Sequence, residues 1–202
     1  MKRILPGICL LALSLATPCL RGQVNPYRDG TPGVTGYRSE VLSEVIVQEN
    51  EFIRLAEAIP ADKYTWRPAP EVRSIAEVFL HVSAANYNMY TLVGVKIPQG
   101  IDTKSMEEST TDKVKVIAIL KQSYAHAKQA ITALPDADLE KSMNWLGGKL
   151  TVRGVLLYIV PHIAEHLGQS IAYARMIGVV PPWSQDPPNQ QADKKEASKE
   201  KP

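Results

Sequence analysis

Apolar residues recur at helical spacing in four segments of this chain, and each segment is bounded by a residue that starts or stops a helix. The first segment covers residues 38–58 and is ended by Pro60. The second begins at Ser74, with Glu77 three residues later as in a capping box, and reaches about residue 93. Two helices separated by a proline-rich connection are therefore expected in this half of the chain.

The second half shows the same pattern twice. Residues 112–133 form a third amphipathic segment, and a fourth begins at the N-cap residue Thr151 and continues to about residue 177, before Gly178. Pro161 lies inside the fourth segment, where it predicts a kink. No run with strand periodicity is as strong as these helices. The pattern predicts an all-α fold, a four-helix bundle with long connections between helices.

The two ends of the chain do not belong to the predicted bundle. Residues 1–22 resemble a signal peptide, because Lys2 and Arg3 precede a short apolar core. That core is too short to span a bilayer, so an exported protein, periplasmic or secreted, is expected, with no stable membrane insertion after cleavage. A retained anchor or a lipoprotein modified at Cys19 are the alternatives, and Pro18 argues against the second.

Removing the signal peptide changes the composition. Both cysteines lie within it, and the remaining chain has 20 basic and 21 acidic residues, so no basic surface for nucleic acid is expected. Residues 184–202 are rich in Pro, Gln, Lys and Glu and are expected to be a disordered tail. The predicted organisation is a signal peptide (1–22), a flexible segment (23–34), one helical domain (35–183) and the tail.

The chain has four histidines, and helical phase separates them. His162 and His166 are four residues apart and share one helix face, and His81 lies on the inner side of the second helix. His126 is about 200° from the inward Tyr124 by helical phase, so it is expected to point outward. Three inward imidazoles with an open fourth position are the ligand set of a catalytic type of zinc site. The alternative is a hydrogen-bonded histidine pair in the core.

The same segment also matches the pattern His-x-x-Glu-His of one class of metalloprotease. Those enzymes need a further acidic ligand downstream in a folded helix. Here the acidic residues after His166 lie in the predicted tail. Glu165 is offset by about 100° from His166 on the helix and is expected to meet solvent or an arginine. The metalloprotease interpretation is therefore not favoured.

Several motifs occur together in the order of a known family. They are Trp66-Arg67-Pro68, Arg73-Ser74 at the start of a helix, Glu77 and His81 within it, and His162-x3-His166-Leu167-Gly168-Gln169 near the end of the domain. In this combination the chain resembles the DinB-like (DinB/YfiT) superfamily of four-helix bundles. The stretch from Ala172 to Arg175, followed by Pro181-Pro182-Trp183, is similar to exported members.

The resemblance implies a metal site and leaves the activity open. In that family one histidine of the second helix and two of the fourth bind a divalent metal, usually zinc or nickel, which implies that His81, His162 and His166 are the ligands here. Asn88, Gln169 and Tyr173 follow these histidines on the same helix faces and are candidates for hydrogen bonds to a ligand ring or to water. The alternative is that they satisfy one another within the bundle.

Two classes of function remain open. The first is a metal-binding exported protein whose activity and small-molecule partner are unassigned. The second is a metal-dependent hydrolase, or a transferase that uses a thiol, acting at the open coordination position. No inward Asp or Glu is evident from helical phase, which counts against a hydrolase. The resemblance also implies a possible homodimer.

Overall fold

The structure is a computed structural model that describes residues 33–145 and 147–185. The predicted signal peptide, most of the flexible segment and nearly all of the predicted tail lie outside these residues. Within them the prediction of an all-α four-helix bundle is confirmed. The helices are α1 (Gly36–Ala58), α2 (Ile75–Thr91), α3 (Lys113–Ala133) and α4 (Val152–Met176).

Side-chain caps set the starts of three of these helices. Ser74 and Glu77 form a complete capping box on α2, in which each side chain bonds the backbone N–H of the other residue, at 3.3 and 2.7 Å. Asp112 accepts from a backbone N–H at the start of α3, and Thr151 does so at the start of α4. At the other end of α4, Gly178 has a φ of 80°, a left-handed conformation that favours glycine.

The helices pack so that α3 and α4 each contact both α1 and α2. The core between them is filled by aromatic and branched side chains, and the Phe52 ring lies 6.2 Å from the rings of both Phe79 and Tyr124. This arrangement brings α2 directly beside α4. The inner faces that carry His81 and the pair on α4 therefore face each other.

The connection between α3 and α4 contains two strands that the sequence analysis did not predict. β1 (Ser142–Trp145) pairs antiparallel with β2 (Gly148–Thr151), and Gly147 in the turn has a φ of 82°. Each strand has only four residues, too few for a period of two to stand out from the sequence. Trp145 packs edge-on against Tyr158 of α4, with ring centroids 5.3 Å apart, so the hairpin is fixed to the bundle.

Pro161 does not end α4, which continues for fifteen residues beyond it. The side-chain amide of Gln48 on α1 donates to the carbonyl of Val160 at 3.2 Å, next to the position where proline supplies no backbone donor. The predicted kink stays a prediction. In the part of the chain that the structure describes, no helix is both long and apolar enough to cross a membrane.

Candidate metal centre

The structure brings the side chains of His81, His162 and His166 together between α2 and α4. One ring nitrogen from each of the three lies within 4.8 Å of the other two. The ring centroid of His81 is 5.6 Å from that of His162 and 4.5 Å from that of His166, and the two rings on α4 are 4.8 Å apart. All three are partly buried. Three ring nitrogens grouped in this way can serve as ligands of one metal ion.

The position of His81 follows from how α2 begins. The capping box at Ser74 fixes the first turn, and Arg67 holds the same Glu77 carboxylate at 2.7 Å. Burial opposes ionisation of Glu77, but the bonds from Ser74 and Arg67 outweigh it and lower the pKa of that carboxyl. His81 lies on the second turn after this anchored start and is directed towards α4.

An acidic side chain does face the centre, contrary to the sequence-based expectation. The carboxylate of Glu107 lies 2.5 Å from Nδ1 of His81 and accepts from Nε of Arg73 at 2.7 Å. Glu107 belongs to a 3-10 turn (Met106–Glu108) in the connection between α2 and α3. Helical phase cannot assign a direction to a residue in an irregular connection, so no sequence pattern pointed to Glu107.

The charge state of this carboxylate is set by opposing effects. Burial raises the pKa of Glu107, whereas the hydrogen bonds from Arg73 and His81 lower it, and the net shift is downward. Glu107 is therefore ionised at neutral pH and can only accept hydrogen bonds. The Nδ1 atom of His81 must then carry the proton, which leaves Nε2 of His81 as its free nitrogen.

His166 is held in a similar way by a neutral partner. Its Nδ1 lies 2.9 Å from Oε1 of Gln169, and Nε2 of Gln169 donates to the hydroxyl of Tyr173 at 3.0 Å. The Tyr173 ring packs edge-on against Trp66, with centroids 5.6 Å apart. These contacts engage Nδ1 of His166 and leave its Nε2 without a hydrogen-bond partner among the described residues. The structure thus places Gln169 and Tyr173 beside the histidines.

His162 differs from the other two. Its Nδ1 is buried and has no hydrogen-bond partner among the described residues. Burial, and then the nearby His166, His81 and Arg73, lower the pKa of His162 to about 4. Burial also lowers the pKa of His166, partly offset by its bond to Gln169. Both rings on α4 are therefore neutral at pH 7, the state that a metal ligand must have.

Asn88, the third candidate for a supporting role, is placed elsewhere. It is exposed, and its Oδ1 accepts a hydrogen bond from Thr103 at 2.8 Å. Asn88 shares the face of His81 but lies seven residues further along, which is roughly 10 Å along the helix axis. At that distance it reaches the connection between α2 and α3 instead of the histidine rings.

His126 does not point outward as expected. It is half-buried on α3, its ring centroid is 4.9 Å from that of Tyr87, and its Nε2 is buried without a partner among the described residues. The tyrosines of α2 extend over this flank of α3, a contact that the phase of α3 alone does not reveal. His126 lies outside the three-histidine group. Glu165 is exposed, as predicted.

The ring nitrogens of the three-histidine group are suited to binding a divalent ion. Two rings have their Nδ1 atoms hydrogen-bonded, and the third has a buried nitrogen without a partner in the part of the chain that the structure describes. Neutral imidazoles suit zinc, nickel, copper or iron, so the donor set does not identify the metal. Three protein ligands would leave a position open to a substrate.

Comparison with known proteins agrees with this description. The family model of the DinB superfamily matches residues 46–170. Among curated proteins, the uncharacterized protein YjoA of Bacillus subtilis is 24% identical over 144 residues, which cover 69% of this chain and 90% of YjoA.

Solved structures show the same fold. A DinB-like protein of Bacillus cereus superposes with a TM-score of 0.61 at 15% identity, over 70% of this chain and 93% of that one. YfiT of Bacillus subtilis superposes with a TM-score of 0.57 at 14% identity, over 74% and 93% of the two chains. YfiT is described as a probable metal-dependent hydrolase with an unusual four-helix bundle topology.

Proposed function

The chain belongs to the DinB superfamily, and on that premise we propose that it binds one divalent metal ion through His81, His162 and His166. The observation that carries this proposal is the convergence of three ligand nitrogens within 4.8 Å of one another. The lowered pKa values of the two α4 histidines support it, since protons compete less for rings that are already neutral. Zinc and nickel are the metals that we expect first.

The direct test is the metal content of protein purified without a histidine tag. We expect close to one equivalent of a divalent metal in the wild-type protein and a large loss in His162→Ala. His126→Ala is the matched control, because it removes a half-buried histidine outside the group. A wild-type metal content near zero after zinc and nickel are supplied, or equal losses in the two variants, would contradict the proposal.

A metal-dependent hydrolase is the second candidate, because three histidine ligands would leave a coordination position open to water or a substrate. Glu107 brings an acidic group to the centre, but its oxygens are held by His81 and Arg73, so it is not assigned the role of general base. A divalent ion held there supplies Lewis-acid chemistry, because it polarises carbonyl groups and acidifies water. The description of YfiT as a probable metal-dependent hydrolase also supports this candidate.

Turnover separates the two candidates. Zinc-loaded protein would be assayed against a panel of esters and amides, with a thiol-transfer reaction for comparison. A hydrolase predicts product formation that is lost with a chelator and in His81→Ala, and retained in His126→Ala. If no substrate in the panel responds, the role of a metal-binding protein without turnover is favoured.

The proposal includes export of the chain after cleavage near residue 22, which rests on the sequence alone. N-terminal sequencing of protein recovered from a cell fraction outside the cytoplasm would test it. A mature chain without cysteine would bring no thiol of its own to the site. A homodimer also remains an expectation, and native mass spectrometry would measure it.

A further inference from the structure

We propose that Glu107 is a positioning residue that holds His81 in the Nδ1–H tautomer and so directs Nε2 of His81 towards the two histidines of α4. The effect that we expect on metal binding rests on the proposed metal site. The hydrogen bond between Glu107 and His81, which defines the tautomer, does not depend on an ion. Glu107 acts through His81 and is not assigned a contact with a substrate.

The hydrogen bonds around the carboxylate define the tautomer. Oε1 of Glu107 lies 2.5 Å from Nδ1 of His81, Oε2 accepts from Nε of Arg73 at 2.7 Å, and Oε1 also receives Nη2 of Arg73 at 3.4 Å. A carboxylate that accepts hydrogen bonds from a guanidinium remains a hydrogen-bond acceptor towards its other neighbours. A proton on Nδ1 of His81 is therefore the arrangement that satisfies both partners.

The segment that carries Glu107 is itself fixed. Its neighbour Met106 is buried against the core, and Thr103 donates to Asn88 of α2 at 2.8 Å. Asp102 accepts from the backbone of Lys104 at 3.0 Å and from the hydroxyl of Ser105 at 2.7 Å, which tightens the turn before Met106. The carboxylate is thus presented from a connection that is hydrogen-bonded before the turn and packed on the core through Met106, so little further ordering is needed when His81 takes a ligand.

Arg73 completes the arrangement from the other side. It directly precedes the N-cap residue Ser74, so the capped start of α2 fixes both the guanidinium and His81. The side chains of Arg73 and Glu107 are only 41% and 32% exposed, which limits their freedom to part in solvent. Among the described histidines of the group, His81 is the one whose partner carries a charge, so its orientation should be the most strongly held.

The first experiment measures the tautomer of His81 in metal-free protein by long-range ¹H–¹⁵N NMR at a fixed, near-neutral pH. We expect the Nδ1–H form in the wild type and a mixture of tautomers in Glu107→Leu. Glu107→Gln keeps an acceptor oxygen and should retain more of the Nδ1–H form. Glu108→Gln is the matched control on an exposed neighbour and should leave the spectrum of His81 unchanged. An unchanged Nδ1–H form in Glu107→Leu would overturn the inference.

The second experiment measures zinc affinity by competition with a chelating dye. Removing a partner that orients a ligand histidine typically weakens metal binding about 10–100-fold, so we expect a loss of that size in Glu107→Leu. Glu107→Gln should lose less, and Glu108→Gln nothing. Wild-type affinity in a folded Glu107→Leu protein would also overturn the inference.

The two experiments distinguish failure of this inference from failure of the proposed function. A wild-type protein that binds no zinc, but whose His81 tautomer changes in Glu107→Leu, would refute the metal site and support the positioning role. A wild-type protein that binds zinc as tightly as Glu107→Leu would refute the positioning role and leave the metal site intact. Arg73→Lys gives a further check, because it keeps the positive charge but loses the pair of hydrogen bonds from the guanidinium to Glu107. It should weaken zinc binding less than Glu107→Leu does.

Discussion

Two of the three histidines at the centre bond through Nδ1 to a side-chain oxygen, whereas the third does not. His81 pairs with Glu107 and His166 with Gln169, while Nδ1 of His162 is buried without a partner among the described residues. In metal sites such outer partners fix both the tautomer and the orientation of the ligand ring. Within the described residues the centre thus combines two rings held by hydrogen bonds with one ring, that of His162, held by packing.

The difference follows from the elements on either side of each ring. Helix α4 supplies Gln169 one turn after His166, and the connection after α2 supplies Glu107 to His81. His162 directly follows Pro161. The nearby side chain of Gln48 donates its hydrogen bond to the backbone carbonyl of Val160 and not to the ring of His162. If the proposed ion binds, we expect His162 to gain the most from it, because the other two rings already have hydrogen-bond partners.

The largest effect should come from removing a ligand. Zinc at 100 times its dissociation constant stabilises a folded protein by about 2.7 kcal/mol, which is a rise in melting temperature of roughly 5–10 °C for a domain of this size. We expect His81→Ala and His162→Ala to lose this rise equally, measured by circular dichroism melts with zinc or with a chelator. His126→Ala should keep it. A full rise in His162→Ala alone would show that the ring without a partner is not a ligand.

The second largest effect should appear in the metal-free protein. His162→Leu removes a buried nitrogen that has no hydrogen-bond partner among the described residues, and an unpaired buried polar group costs about 1–3 kcal/mol. We expect an unchanged or increased free energy of unfolding in this variant, measured by urea denaturation with a chelator present. His81→Leu removes the hydrogen bond between the imidazole and the Glu107 carboxylate. This variant should lower the free energy of unfolding by about 1–3 kcal/mol, because the carboxylate then lacks one of its partners. If both variants lose the same free energy of unfolding, the distinction between the hydrogen-bonded ring of His81 and the ring of His162 is wrong.

The sequence predicted the parts of this molecule that depend on helical period. All four helices could be located because apolar stripes repeat over whole turns, and the capping residues Ser74 and Thr151 marked the starts of two of them. The cap that Asp112 forms on α3 is seen only in the structure. The phases of α2 and α4 also placed three histidines on facing surfaces. That they bind a metal stays a prediction.

The rest could not be predicted, for reasons that are physical. Glu107 and the β1–β2 hairpin lie in connections, where no period links sequence position to direction. His126 was misplaced because its burial is decided by Tyr87 and Tyr90 of a neighbouring helix. The unequal hydrogen bonding of the three histidines is a tertiary property, and their spacing in the sequence does not reveal it.

A smaller effect is expected at the neutral partner. Gln169→Leu removes the acceptor for Nδ1 of His166 and should weaken zinc binding about 10-fold, at the low end of the usual range for such partners. Tyr173→Phe removes only the hydroxyl that accepts from Gln169 and should weaken binding less than that. Both would be measured by dye competition. A loss in Gln169→Leu larger than in Glu107→Leu would reverse the ranking of the charged and neutral partners.

The smallest effect concerns protonation, and His126 provides the reference for it. His126 and His162 each have a buried ring nitrogen without a partner among the described residues, and burial lowers the pKa of both. At His162 the neighbouring His166, His81 and Arg73 add to burial and bring the pKa to about 4. NMR titration of metal-free protein should therefore show His162 protonating at a lower pH than His126, and both below the ordinary value near 6.5.

The consequence for stability has a definite sign. Between pH 6.5 and about 4 the unfolded chain binds a proton at residue 162 that the folded chain does not, so the free energy of unfolding falls as the pH falls through this window. One such group contributes at most about 1.4 kcal/mol per pH unit, and partial exposure reduces this. His162→Leu should therefore flatten the pH dependence of metal-free unfolding in this window, and His126→Leu should flatten it less. If His162 instead titrates at the same pH as His126 or above it, the ring without a hydrogen-bond partner among the described residues has gained one in solution, and the contrast between His162 and the other two histidines is lost.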